Sequence, residues 1–232
     1  MVFITAEIGV NWEGDFILLE KMMRDAKNAG CDAVKLQAFN EKIVLEHPKK
    51  TRLLKSSVSR DNIEQINSIS KKTNIEWYCT PMYHDAIDFL DSFVKRYKIR
   101  YSDSLPLHEN KTTPLISKAL ETEKQIIVST QKNPKQLDLY NSDNVKWLYV
   151  VPKYPCSIDE LDFSNLSDFD GFSNHCMTLL APLNAVILGA KMIEIHVTSN
   201  KDKDFLDNSV SFDAIETKEL INLIHDAEKT HK

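Results

Sequence analysis

Short apolar runs alternate with longer amphipathic stretches along this chain, and the alternation predicts eight strands, each followed by helical or loop sequence. The strand-like runs occupy residues 3–10, 33–38, 75–79, 97–101, 125–129, 146–151, 169–172 and 192–197. Helical spacing is plainest at residues 15–29, where Phe16, Leu19, Met22, Met23 and Ala26 share one face and Gly30 closes the stretch. It recurs at 60–72 through Ile63, Ile66 and Ile69, and a last helix is expected at about 213–229, after the eighth strand. Eight units of such short period point to a (β/α)8 TIM barrel, with a doubly wound open sheet as the runner-up. At 232 residues and 42% hydrophobic, residues 1–232 are expected to form one TIM-barrel domain.

In a barrel the chemistry gathers at the C-terminal ends of the strands, which selects the polar residues worth weighing. The first strand supplies Glu7 and then Asn11 and Glu13, the second Lys35 and Gln37, the third Thr80, and the fourth Lys98, Arg100, Ser102 and Asp103. The fifth ends in Ser129 and Thr130, the sixth leads to Lys153 and Tyr154, and the last two bring Ser173, Asn174, His175, Glu194 and His196. Gly171-Phe172-Ser173-Asn174-His175 and Met192-Ile193-Glu194-Ile195-His196 each run an apolar stretch into a histidine. As neighbouring parallel strands they deliver two imidazoles to one rim, which is divalent-metal ligand chemistry with positions left open for substrate. Lysines and an arginine in a small cavity suit an anionic group such as phosphate or carboxylate. Lys35 lies on a strand expected to be buried, so it needs a ligand or a carboxylate partner, an ion pair with Glu7 being the plainer reading. Cys176, next to His175, points to the opposite face and is not expected to ligate.

Net charge adds an exclusion. With 29 Lys and Arg against 34 Asp and Glu, a formal charge of −5, the chain lacks the surplus of cations on which nucleic-acid binding depends. Its four cysteines, Cys31, Cys79, Cys156 and Cys176, form no CxxC and fit reduced intracellular thiols. The first residues carry no positive n-region, and no apolar stretch approaches membrane-spanning length, so a cytoplasmic protein with no membrane partner is expected.

The run from Ala6-Glu7-Ile8-Gly9-Val10-Asn11-Trp12-Glu13-Gly14-Asp15 to Asn28-Ala29-Gly30-Cys31-Asp32-Ala33-Val34-Lys35-Leu36-Gln37 resembles the opening of the sialic acid (N-acetylneuraminate) synthase family. The similarity continues through Thr80-Pro81, Lys98-Ile99 with Asp103, Ser129-Thr130, Tyr154-Pro155, both histidine motifs, and Asp207. This resemblance implies a TIM barrel that condenses phosphoenolpyruvate with an N-acetylated amino sugar aldehyde, giving a nine-carbon 2-keto acid and phosphate. It implies that His175 and His196 hold a divalent cation, manganese or magnesium, which acts as a Lewis acid on the aldehyde. It further implies that Lys35, Gln37, Lys98, Ser129 and Ser173 bind phosphoenolpyruvate, and that Glu7, Tyr154 and Asp207 hold the acceptor. Glu7, Lys35 and Asp103 become the catalytic candidates, Asp103 as base for the water that adds at C2. A homodimer is an expectation by the same resemblance.

The sequence also departs from the family pattern. Arg100-Tyr101-Ser102 fills the place of a small Gly/Ala-Ser-Gly run, which reshapes the phosphate pocket; Arg100 takes over phosphate binding only if it points inward, and the bulk of Tyr101 works against it. Residues 104–113 read as an insertion, Gln131 replaces a glycine, and Tyr149-Val150-Val151-Pro152 replaces a polar segment. Asn174 stands for an Asp, Trp12 for a His, and residues 201–204 read as a mobile loop over the pocket mouth. The sequence given ends at Lys232, before the C-terminal antifreeze-like domain that the resemblance implies for full-length members, a domain that lends an arginine to the partner subunit's active site. Two rival readings stay open: a lysine Schiff-base aldolase, and a non-catalytic barrel acting as a sugar-binding, metal-binding or assembly subunit.

Overall fold

A computed structural model describes residues 1–230. Eight strands, β1 (Phe3–Gly9), β2 (Ala33–Ala38), β3 (Glu76–Pro81), β4 (Arg96–Ile99), β5 (Gln125–Thr130), β6 (Val145–Val150), β7 (Gly171–Asn174) and β8 (Met192–Val197), pair in parallel in chain order. The ring closes where β1 pairs with β8, Glu7 lying beside His196. The helices are α1 (Phe16–Ala29), α2 (Lys50–Ser56), α3 (Ile63–Thr73), α4 (Ala86–Leu90), α5 (Tyr101–Ser104), α6 (Pro114–Glu121), α7 (Leu180–Ile187) and α8 (Ala214–Thr230). This is the (β/α)8 TIM barrel that the periodicity predicts, and the open-sheet alternative falls with the β1–β8 pairing.

Local sequence explains the best-formed helices. Asp15 caps α1 by accepting from the Ile17 and Leu18 amides, Leu19, Met22, Met23 and Ala26 face inward, and Gly30 ends the helix in a left-handed conformation. On α3 the Ile63, Ile66 and Ile69 stripe is buried, each side chain contributing about 1.5–3 kcal/mol of burial free energy. Gly171 opens β7 where a Cβ would meet the Met192 carbonyl oxygen at 1.9 Å, so no larger residue fits between β7 and β8.

Several boundaries differ from the sequence reading. Strand four, expected to run to Tyr101, stops at Ile99 because the Arg100 carbonyl accepts the Asp103 and Ser104 amides and starts α5. Strand seven begins at Gly171, since the Phe169 amide is spent on the turn at Leu166. A two-residue strand, β9 (Ser211–Phe212), extends beside β8 and was not expected. Among the described residues no helix is long and apolar enough to cross a membrane.

Candidate active site

Strand alternation decides which side chains enter the barrel mouth, because residues two apart share a face. Lys35 and Gln37 on β2, Lys98 and then Arg100 after β4, Ser173 and then His175 after β7, and Glu194 and His196 on β8 form four such pairs. With Glu7, Thr80, Ser129, Tyr154 and Asp207 they line one cavity of about 550 Å³. Every residue to which the resemblance assigns a role lines this cavity except Asp103, and of the other rim residues weighed Asn11, Glu13, Thr130, Lys153 and Asn174 do not line it. Asp103 lies one turn into α5 and binds Arg100, Oδ2 accepting from Nε at 2.6 Å.

The floor is a compensated charge cluster. Lys98 Nζ donates to both Glu194 oxygens at 2.8 and 2.9 Å, and Glu194 Oε1 also accepts from the Ser173 hydroxyl at 2.9 Å. Lys35 Nζ donates to Thr80 Oγ1 at 3.0 Å and stands 3.2 Å from Glu7 and 3.5 Å from Glu194. Gln37 donates to the other Glu7 oxygen at 2.7 Å. All four charged groups are buried, which is tolerable only because each has partners of opposite sign. Burial pushes the Lys98 ammonium down to about 8 even though Glu194 opposes the shift. For Glu194 burial acts upward, but Lys35 and Lys98 outweigh it and hold the carboxyl below its ordinary range. Glu7 moves the other way, raised by burial that Lys35 only partly offsets. Lys35 ends above its ordinary value, since Glu194 and Glu7 together exceed its burial penalty.

The two imidazoles meet at the rim with ring centroids 5.4 Å apart. His175 donates from Nδ1 to the Val151 carbonyl at 2.8 Å, which fixes the tautomer and leaves Nε2 free. Burial, with His196 adding to it, pushes His175 down to about 3, so the ring is neutral at physiological pH as a metal ligand must be. His196 Nδ1 is buried with no hydrogen-bond partner among the described residues and lies 3.6 Å from Asp207 Oδ2. Tyr154, half exposed, packs over His175 at a centroid distance of 3.9 Å, and its peptide bond to Pro155 is cis. A neutral imidazole with a fixed tautomer beside a second, unsatisfied one fits a divalent cation. Among the described residues no three His, Cys, Asp or Glu side chains converge as a complete ligand set, so such an ion would need water or substrate oxygens as well.

Supporting residues explain further sequence features. Asn11 donates to the Val197 carbonyl at 2.9 Å and accepts the Asp207 amide at 2.8 Å, holding Asp207 at the mouth. Trp12 is buried and donates to the Ser56 carbonyl at 2.9 Å, a packing role, while Asn174 closes a turn on Cys176. The Cys176 sulfur sits 3.1 Å from Cys156 and lines no part of the cavity, as the strand alternation predicts. Lys153 pairs with Glu160 outside the cavity. The 201–204 segment is tied by Lys201 to Glu216 and by Asp204 to Arg52, which also binds Glu13. Glu194, named from sequence only as a rim residue without a role, is the charged lining residue at the hub of the cluster, and His47 and Ser209 line the cavity without having been nominated. The spacing of Glu194 two before His196 is the signal that marks it as inward-facing.

Together these features define a TIM-barrel protein with a polar, charge-compensated cavity at its strand C-terminal ends. The chain belongs to the NeuB family, whose model matches residues 22–232. It is 29% identical to N,N'-diacetyllegionaminic acid synthase of Legionella pneumophila, over 97% of this chain and 72% of that one. It is 26% identical to pseudaminic acid synthase of Campylobacter jejuni, over 98% of this chain and 74% of that one. Among solved structures, the N-acetylneuraminic acid synthetase of Leptospira borgpetersenii superposes with a TM-score of 0.87 at 23% identity, covering 99% of this chain and 84% of the other, a likeness of fold.

Proposed function

We propose that this chain condenses phosphoenolpyruvate with an N-acetylated amino sugar aldehyde to give a nine-carbon 2-keto sugar acid and phosphate. The observation that carries the reading is the pair of unsatisfied buried polar atoms, Ser129 Oγ and His196 Nδ1, on residues lining a cavity that also holds two buried lysines. Buried polar atoms are paired in the great majority of cases, so two orphans facing one hollow mark places for ligand atoms. Membership of a family whose named relatives are acid synthases supports the same reading.

Lys35, Lys98, Gln37, Ser129 and Ser173 bind the anionic groups of phosphoenolpyruvate, where opposed charge in a water-poor site is strongest. Glu7 from the floor, with Tyr154 and Asp207, holds the hydroxyl-rich acceptor. His175 and His196 would hold manganese or magnesium, which when bound supplies Lewis-acid polarisation of the aldehyde oxygen. The C3–carbon bond forms as the aldehyde oxygen takes a proton, for which the raised carboxyl of Glu7 is suited. Water then adds at C2, giving its proton to the carboxylate left on Glu7, and the C2–oxygen bond to phosphate breaks as the proton of the new C2 hydroxyl leaves with the phosphate.

Isothermal titration with phosphoenolpyruvate, with and without manganese, tests the reading. Binding is expected, and its complete absence under both conditions would favour the non-catalytic barrel. The lowered Lys98 ammonium favours one second reading, a Schiff-base aldolase, since such chemistry needs a lysine that can lose its proton. Borohydride with pyruvate separates the two, as only the aldolase leaves a covalent adduct on Lys98 or Lys35.

A further inference from the structure

Three lysine and arginine side chains line the cavity, and they are not equivalent. Lys35 and Lys98 lie on the floor, and their charges are already met by Glu7 and Glu194. Arg100 stands higher, its side chain 38% exposed, and touches neither floor carboxylate. Among the described residues its only acidic partner is Asp103, which takes Nε at 2.6 Å and Nη2 at 3.4 Å. That pairing uses the side-on edge of the guanidinium. The end-on edge, Nη1 and the second Nη2 hydrogen, has no partner among the described residues and offers two parallel donors, the geometry that suits a phosphoryl group.

A second, independent observation lies on the neighbouring strand. The β4–β5 ladder pairs Ile99 with Val128, so the next positions along it are Arg100 and Ser129. Ser129 is 3% exposed, and its hydroxyl, as noted, is buried without a partner. The segment carrying Arg100 is also anchored to this strand end, because Ser104 Oγ donates to the Ser129 carbonyl at 2.8 Å and His108 Nε2 meets Thr130 Oγ1 at 2.7 Å. Residues 104–109, which read from sequence as part of an insertion, thus brace the arginine rather than project from the barrel.

We infer that Arg100 and Ser129 form the capture point for the phosphoryl group of the substrate, and that Asp103 is a positioning residue that aims the guanidinium. This inference rests on the proposed use of phosphoenolpyruvate. It assigns Asp103 work through Arg100 rather than proton transfer from water, in keeping with its place outside the cavity lining.

Steady-state kinetics and direct binding on Arg100→Met, Arg100→Lys and Asp103→Asn test it. Loss of a charge-assisted phosphoryl contact is expected to raise KM for phosphoenolpyruvate by about 10- to 100-fold in Arg100→Met, with kcat within about threefold. Arg100→Lys should recover part of that loss, since a point charge keeps attraction but loses the fork. Asp103→Asn should raise the same KM by a smaller factor and leave the pH profile of kcat unchanged. A collapse of kcat with loss of one pH limb in Asp103→Asn would instead make it a base and overturn the inference. A rise in KM for the acceptor alone would move the captured phosphoryl group to the sugar, which also overturns it. Calorimetry with phosphoenolpyruvate reads the same contact without turnover. If the unmodified protein binds it and Arg100→Met binds equally well, this inference alone fails; if the unmodified protein does not bind it, the functional reading fails first.

Discussion

Lys98 and Glu194 come from strands on opposite sides of the ring, β4 and β8, yet the Lys98 ammonium bridges both Glu194 oxygens at 2.8 and 2.9 Å across the barrel interior. The pair fixes the floor of the cavity and sets the charge that an incoming anion meets. Both partners are buried, so each depends on the other for compensation of its charge.

The Lys98 value of about 8 predicts an alkaline limb in phosphoenolpyruvate binding. Below it the ammonium is charged and attracts the anion; above it the charge is lost and KM should rise. Glu194→Gln removes the group that opposes the downward shift, so the limb should move to lower pH. KM measured from pH 6 to 9.5 in both proteins checks the sign, and a limb that stays in place would disconnect it from this pair.

Acid stability carries the opposite signature. Glu194 is held below its ordinary range, so its contribution is present above the unfolded carboxylate value and fades as pH falls through the folded one. Glu194→Gln leaves two buried ammonium groups less compensated and should cost about 3–5 kcal/mol near neutrality. The stability it retains should fall less steeply in acid, which urea unfolding at a series of pH values would show.

Much of the fold was legible because its periodicity is local. The limits of β2 and β8 follow from short runs in which apolar residues alternate with the polar ones of the site, and the α1 cap and stop are both written in single residues, Asp15 and Gly30. The end of β4 was not legible, since whether Arg100 continues a strand or starts a turn depends on its carbonyl meeting the Asp103 and Ser104 amides. Within the site, alternation brings Lys35, Lys98, His175 and His196 to the lining of one cavity. What a single strand cannot reveal is the cross-barrel partner, so neither the Glu194 hub nor the removal of Asp103 behind Arg100 could be read beforehand.

Gly9 tests how tightly the acceptor side is built. It sits at a φ of 53°, and a Cβ there would lie 3.0 Å from Glu7 Oε1 and 3.1 Å from Gln37 Nε2. Gly9→Ala should cost about 1–2 kcal/mol from backbone conformation alone. It should also raise KM for the acceptor by disturbing the Glu7–Gln37 hydrogen bond. Denaturant unfolding with acceptor kinetics separates the two effects.

The imidazole pair makes a sharper demand. His175→Ala and His196→Ala should each weaken manganese binding by at least about 10-fold, and Asn in place of Asp207 should weaken it less. Calorimetric titration of manganese into the folded variants, with circular dichroism as the folding control, gives the answer.

Buried thiols supply a control on the structure itself. Burial pushes Cys31 and Cys176 up to about 12, so at pH 8 neither is appreciably ionised in the folded protein. A thiol reagent should label them slowly until denaturant is added, when all four cysteines react.

One cavity joins cations, carboxylates and two imidazoles, and its proposed work is the condensation of phosphoenolpyruvate with an amino sugar. Phosphate release from phosphoenolpyruvate, assayed against a panel of N-acetyl amino sugar aldehydes with and without manganese, tests it most directly. Release is expected to require both an aldehyde and the cation and to disappear in His175→Ala. Release that needs no aldehyde, or none with any member of the panel while phosphoenolpyruvate binds, would contradict it.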